Sequence, residues 1–331
     1  MRAAAAFLAC LSFVSLPPRK LAFFDYQQPH MGTTVRIQVY AATAADAERV
    51  SSAAFERIRE LDDRFSDYSD ASELAGVSRA AGGDAVVVSQ DLFHVVERAQ
   101  RIAATTEGAF DITIGPVSHL WRRARAASQP PDAARVEAAT RLVGYRWLHL
   151  SAGARTVRLA KRGMVLDLGG IAKGFAADAA VETMVRLGGE RSVVAIGGDI
   201  VAADAPPGKP GWDVAIQALG GAGKPPMRTI QLRRGALSTS GDAEQFLDAG
   251  ERHYSHIVNP RTGSAETGRR SVTIRVADGA TADALATAVK ALGTERGLRL
   301  VDRFPDAAAL ITVEEESNER VFPSRRWRDG R

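Results

Sequence analysis

The sequence predicts an α+β protein in which mostly antiparallel sheets pack against helices. Three observations carry that expectation. Segments with the helical repeat and segments with the strand repeat are interspersed, without the strict strand–helix–strand alternation that builds a parallel sheet. The 331 residues are 45% hydrophobic and 25% charged, so a core can form without a disulfide or metal to hold it. No repeat, low-complexity tract or shift in composition marks a boundary, so residues 25–331 read as one domain.

The chain opens with MRAAAAFLACLSFVSLPPRK, one basic residue followed by an apolar run from Ala3 to Leu16. That order is a secretory signal peptide's, and the run is too short to span a bilayer as a helix. Residues 1–24 are therefore expected to be a signal peptide or N-terminal anchor. The protein is then periplasmic or otherwise exported, with membrane association open to it, and cytoplasmic if the segment is no signal. The lone cysteine, Cys10, lies in this segment and excludes an internal disulfide.

From Thr34 to Tyr40 the chain alternates, with Val35, Ile37 and Val39 on one face of a half-buried strand. Residues 43–63 carry Val50, Ala54, Ile58 and Leu61 on one side of a helix. Ser89 is a natural N-cap for a second helix bearing Leu92, Val95, Val96 and Ile102. Residues 129–132 form a loop. Met164 to Leu168 reads as a buried strand, turned by Gly169 and Gly170 into a helix that ends at Gly188 and Gly189. Ser192 to Ile196, Trp212 to Gln217, Thr229 to Leu232, Ser271 to Val276 and Ala308 to Thr312 read as strands. Segments 203–211 and 219–226 read as exposed loops. A helix runs from about Thr281 to Leu292, and the charged tail beyond about 315 is expected to be loosely ordered.

The net charge is +4, and the basic residues are scattered apart from a cluster near Arg325 and Arg326. A nucleic-acid binder concentrates its cations on one face, so that class is set aside. A mildly basic surface still suits an anionic dinucleotide.

The chemistry-bearing candidates fall in separate segments. DLGGIAKG, from Asp167 to Gly174, places glycines, a helix start and Lys173 together, a combination that suits a phosphate. It equally suits a plain strand-to-helix turn. Asp283 and Thr287 are four residues apart on the last long helix and so share a face. Oxygen ligands of that kind suit Mg²⁺, and a helix cap would use the same residue types. In YSHIVNPRTG, His256 is the best-placed histidine for a general base. TEGAFDI and RFSDY add Phe110, Asp111 and Tyr68, whose ring can stack on a flat ligand.

In chain order, MGTTVRIQV, RFSDYSDASEL, TEGAFDITIGPV, LDLGGIAKGFAADAA, AIGGDI, GALSTSGDAEQF, YSHIVNPRTG and ADALATAVKALG resemble the motifs of the ApbE-type FAD:protein FMN transferases, from about Met31 to Leu298. The resemblance implies an ApbE-like, T-fold-related architecture with FAD lying across the sheet. Met31 and Tyr68 would contact the flavin ring. Ala109, Phe110, Asp111, Asp167, Lys173 and the backbone of Ile257 would contact other parts of FAD. Asp283, Thr287 and the Gly170 carbonyl would hold Mg²⁺, and His256 would be the base. Asp199 lies in a family motif without an assigned role. The implied reaction moves FMN from FAD onto a Thr or Ser hydroxyl of an acceptor protein and releases AMP. The implied partners are FAD and an acceptor bearing a flavinylation motif, a membrane-associated redox complex among them. A Mg²⁺-dependent FAD pyrophosphatase and a non-catalytic FAD-binding protein are the alternatives. Two departures stand out. Gly76, Val77 and Ser78 replace the family's RLN, and Asn259 in HIVNP removes a carboxylate next to the supposed base.

Overall fold

The computed structural model describes residues 20–219, 226–241, 246–250, 252–315 and 318–328. The elements follow in chain order. Strands β1 (Ala22–His30) and β2 (Thr33–Ala41) form a hairpin, followed by helices α1 (Ala44–Phe65) and α2 (Glu73–Arg79). Strand β3 (Val86–Val87) precedes α3 (Gln90–Thr105), α4 (Gly115–Ala126) and α5 (Ala133–Thr140), then β4 (Leu148–Ser151) and β5 (Thr156–Leu159). Helix α6 (Ala172–Arg186) leads into β6 (Ser192–Ile196), β7 (Asp199–Ala202), β8 (Trp212–Gln217), β9 (Pro226–Leu232) and β10 (Gly235–Ser240). Strands β11 (Phe246–Ala249), β12 (Arg252–Val258), β13 (Ala265–Thr267) and β14 (Arg270–Val276) precede α7 (Gly279–Leu292), α8 (Thr294–Val301), β15 (Ala308–Glu315) and β16 (Asn318–Pro323).

The main sheet has eight strands in the order β1-β2-β6-β7-β10-β14-β15-β16, and every neighbouring pair is antiparallel. The expected α+β class with mostly antiparallel sheets is what the chain forms. Helices α1, α6 and α7 cover one face, where Val35, Ile37, Val194 and Ile274 meet Ile58, Ala176 and Leu285. The β8–β9 hairpin covers the other, where Trp212, Val214 and Ile230 meet Val193, Leu237 and Leu310. Central strands buried on both sides read as continuous apolar runs, which is why β6 and β15 lack polar alternation. A smaller sheet, β11-β12-β13, packs with α4 and α5 through Trp121, Leu247 and Val258.

Ser89 caps α3 as expected, its hydroxyl accepting from the Leu92 N–H at 3.2 Å. Two expectations are corrected. Met164, Leu166 and Leu168 are buried, yet the segment makes only one isolated bridge, Ile114 with Val165. Its backbone is used instead by the Asp167 N–H donating to the Ile112 carbonyl and by the Leu166 N–H donating to the Ser78 hydroxyl. The tail is ordered where it is described. β16 pairs with β15 along its length, Trp327 is buried, and the Arg326 guanidinium donates to the carbonyls of Val301, Phe304 and Ala307. The expected leader lies largely outside the described residues, and its last positions, Ala22 to Phe24, belong to β1. Among the described residues no helix is long and apolar enough to cross a membrane.

Candidate active site

A cavity of about 1310 Å³ opens between the helix-covered sheet and the α4–small-sheet unit. The residues named above as FAD contacts, metal ligands or base all line it: Met31, Tyr68, Ala109, Phe110, Asp111, Asp167, Gly170, Lys173, His256, Ile257, Asp283 and Thr287. Residues more than 250 positions apart in sequence therefore share one space.

At one pole the start of α6 meets α7. The Lys173 ammonium lies 2.9 Å from Asp199 Oδ2 and 3.4 Å from Asp283 Oδ2, and the Gly174 N–H donates to the same Asp283 oxygen at 3.2 Å. Both carboxylates are buried. Burial, and then the charge of Asp199, pushes the Asp283 carboxyl up to about 7, although Lys173 and the Gly174 N–H oppose them. Burial alone would lower Lys173, but the two carboxylates outweigh it and hold the ammonium charged, above its ordinary value.

The donor set at this pole fits a hard divalent cation. Because the Gly174 N–H goes to Asp283, it is not spent on the Gly170 carbonyl one turn back. A Cβ at Gly170 would stand 2.9 Å from Thr287 Oγ1, so only glycine lets the backbone come this close to that hydroxyl. Among the described residues the Thr287 hydroxyl has no hydrogen-bond partner. A carboxylate, a hydroxyl and a carbonyl, with room left for phosphate oxygens and water, match what Mg²⁺ takes.

At the other pole Tyr68 is 78% exposed, and the Arg122 guanidinium sits 4.1 Å from its ring centroid. Arg122 Nη2 is 2.8 Å from Asp67 Oδ2 and 3.5 Å from Asp167 Oδ2. His119 lies 3.1 Å from that Asp67 oxygen. Ligand atoms of Asp67, His119 and Asp167 lie within 4.8 Å of one another, a spacing a metal could use. The guanidinium of Arg122 is already paired with both carboxylates there, and Asp167 also accepts from the Ser118 hydroxyl and the Gly169 N–H. Burial would raise Asp67, but hydrogen bonds from His119 and Arg122 outweigh it and hold its carboxyl below the usual range.

Between the poles several assignments become more specific. Asp111 is buried, with Oδ1 accepting from the Thr113 N–H and hydroxyl and Oδ2 from the Tyr145 N–H. Its carboxylate is therefore occupied in shaping the loop, and burial raises it against those hydrogen bonds. The Ile257 N–H donates to the Ser255 hydroxyl at 3.1 Å. His256 sits on β12, just before the turn that begins at Asn259. The Asn259 amide is spent on the Ala291 carbonyl and the Arg261 N–H, away from the cavity. Gly76, Val77 and Ser78 lie in α2 and do not line the cavity.

The profile of the ApbE family matches residues 31–311. The chain belongs to the ApbE family. As a member, it is 35% identical over 315 residues to the FAD:protein FMN transferase of Treponema pallidum, covering 90% of this chain and 84% of that protein. The crystal structure of the ApbE protein from Thermotoga maritima superposes with a TM-score of 0.82 at 28% identity, covering 92% and 97% of the two chains. The flavin transferase ApbE from Vibrio cholerae gives 0.80 at 27%, covering 92% and 98%.

For this ApbE-family chain the sequence reading missed Ser118, Arg122 and Arg125 on the cavity wall. A signal was present: the three are spaced i, i+4 and i+7 on α4, one face of a helix. The role of Ser238, which donates to Asp199 at 2.5 Å, had no such local signal.

Proposed function

We propose that this protein transfers the FMN half of FAD to a Thr or Ser hydroxyl of an acceptor protein, with Mg²⁺ bound at Asp283, Thr287 and the Gly170 carbonyl. One observation carries the reading: the Lys173 ammonium and Asp283 carboxylate, the open ring of Tyr68 and the imidazole of His256 line a single cavity. The relatives named FAD:protein FMN transferase support it.

The acceptor hydroxyl oxygen attacks the FMN-side phosphorus of the pyrophosphate. The bond from that phosphorus to the bridging oxygen breaks, and AMP leaves with that oxygen. The hydroxyl proton passes to His256. Lys173 and the α6 N-terminus place positive charge where the phosphoryl oxygens gain negative charge. When bound, Mg²⁺ neutralises charge on the pyrophosphate and its leaving oxygen. The Tyr68 ring, backed by Arg122, offers its free face to a flat ring.

The test is incubation of purified protein with FAD, Mg²⁺ and an acceptor bearing a Thr-containing flavinylation motif, read by mass spectrometry. An acceptor mass increased by phosphoester-linked FMN supports the reading, and absence of covalent flavin sinks it. Free FMN and AMP without acceptor would instead identify a pyrophosphatase. Asp283→Ala is expected to abolish metal-dependent turnover, and unchanged activity refutes that ligand.

A further inference from the structure

The proposed chemistry leaves one buried charge at the α6–α7 pole without a task, and that is Asp199. It is 3% exposed, and the structure invests heavily in placing it. A Cβ at Gly198 would stand 2.7 Å from the Thr239 carbonyl oxygen, so the turn before β7 presses directly on β10. In the sheet register Asp199 faces Ser238, whose hydroxyl donates to Oδ1. Its other oxygen, Oδ2, holds the Lys173 ammonium more closely than Asp283 does.

We infer that Asp199 is a positioning residue that takes Lys173 as its own partner, so that the Asp283 carboxylate is available to a divalent cation. The inference rests on the proposed reading of Asp283 as a metal ligand. With both carboxylates ionised, the one ammonium between them leaves the pole with one net negative charge, which attracts a cation. A dication that claims Asp283 then leaves Lys173 still paired, because Asp199 sits on a strand and does not move away with the helix. Without Asp199, Asp283 is the only carboxylate paired with the ammonium among the described residues. The pole becomes a neutral buried ion pair, and an entering dication must both displace and repel the ammonium.

The experiment is a Mn²⁺ titration of the full chain without FAD, followed by calorimetry, using wild type, Asp199→Asn, Asp283→Ala and the double variant Asp199→Asn/Lys173→Met. Asp199→Asn is expected to bind Mn²⁺ about tenfold more weakly while keeping a cooperative thermal transition. The double variant, which removes the competing ammonium, is expected to return to within about threefold of wild type. Wild-type affinity in Asp199→Asn, or a double variant as weak as the single one, overturns the inference. Asp283→Ala separates the two readings: if it binds Mn²⁺ as wild type does, or if wild type binds none, the metal site itself is refuted. Should Asp199→Asn not fold, Ser238→Ala loosens the same carboxylate. It is expected to weaken Mn²⁺ binding about threefold, and unchanged affinity there overturns the inference.

Discussion

A Cβ added to Gly174 would stand 2.1 Å from the carbonyl oxygen of Gly279, and one added to Gly279 would stand 2.4 Å from the carbonyl oxygen of Gly174. Helices α6 and α7 therefore meet backbone against backbone, and this contact brings the Gly174 N–H onto Asp283. Gly to Ala inside a helix ordinarily stabilises by about 1 kcal/mol. Here Gly174→Ala is expected to destabilise by about 1–3 kcal/mol through overpacking, because the helices must part. Denaturant midpoints measure that change. FMN transfer is expected to fall further than stability does, since Asp283 and Gly170 separate with the helices.

The same seam carries a pH dependence. The Asp178 carboxylate on α6 accepts from the N–H groups of Gly279 and Ala280 at 2.7 and 3.0 Å, closing the start of α7. Burial outweighs those bonds and pushes Asp178 up to about 6 from 3.8. The folded state thus holds this proton more tightly than the unfolded chain. Its contribution is fully present below about pH 4 and is lost as pH rises through about 6, a span of about 3 kcal/mol. Unfolding free energies from pH 4 to 7 check this. Asp178→Asn is expected to flatten that part of the profile, and an unchanged slope would contradict the assignment.

Asp111 and Tyr68 both line the cavity, but the structure separates their roles. Asp111→Ala strands the Thr113 and Tyr145 donors in a buried loop and is expected to cost about 2–3 kcal/mol. Tyr68 is mostly exposed, so Tyr68→Ala is expected to change stability by less than about 0.5 kcal/mol. It is expected to weaken FAD binding about fivefold, the worth of one stacked ring. Thermal melts paired with fluorescence titration of FAD distinguish the two, and equal effects on both readouts would erase the distinction.

What could be read from the sequence followed the strength of each local signal. Helices α1 and α3 bury long apolar stripes, and Thr43 and Ser89 cap them, so period and cap agree. Strand β10 is GALSTS, whose small and polar residues are buried or half-buried by the sheet around them and give no apolar alternation. Strand β12, which carries His256, likewise mixes His253, Ser255 and His256 with apolar residues, so its periodicity is weak. Met164 to Leu168 misled in the opposite direction: its apolar residues are truly buried, but the backbone serves a hydroxyl and one carbonyl rather than a ladder. The cavity residues were recognisable by motif. The pairing of Lys173 with Asp199 was not, because it depends on how a helix meets a strand that follows it in the chain.

The turn joining β1 and β2 holds the last test. Met31 has φ of 52° and Gly32 of 69°, the pair of left-handed residues that a tight two-residue hairpin needs. Glycine adopts that conformation freely, whereas methionine pays in strain, and such strain gathers at ligand sites. The Asp62 carboxylate on α1 holds the turn by accepting the Met31 N–H at 2.7 Å. Met31→Gly is therefore expected to raise stability by about 1 kcal/mol while weakening FAD binding, because the side chain facing the cavity is gone. Asp62→Ala is expected to lower both, since the turn loses its anchor and Met31 its placement. Paired unfolding curves and FAD titrations decide it. If Met31→Gly binds FAD as wild type does, the strained methionine is not held there for the ligand.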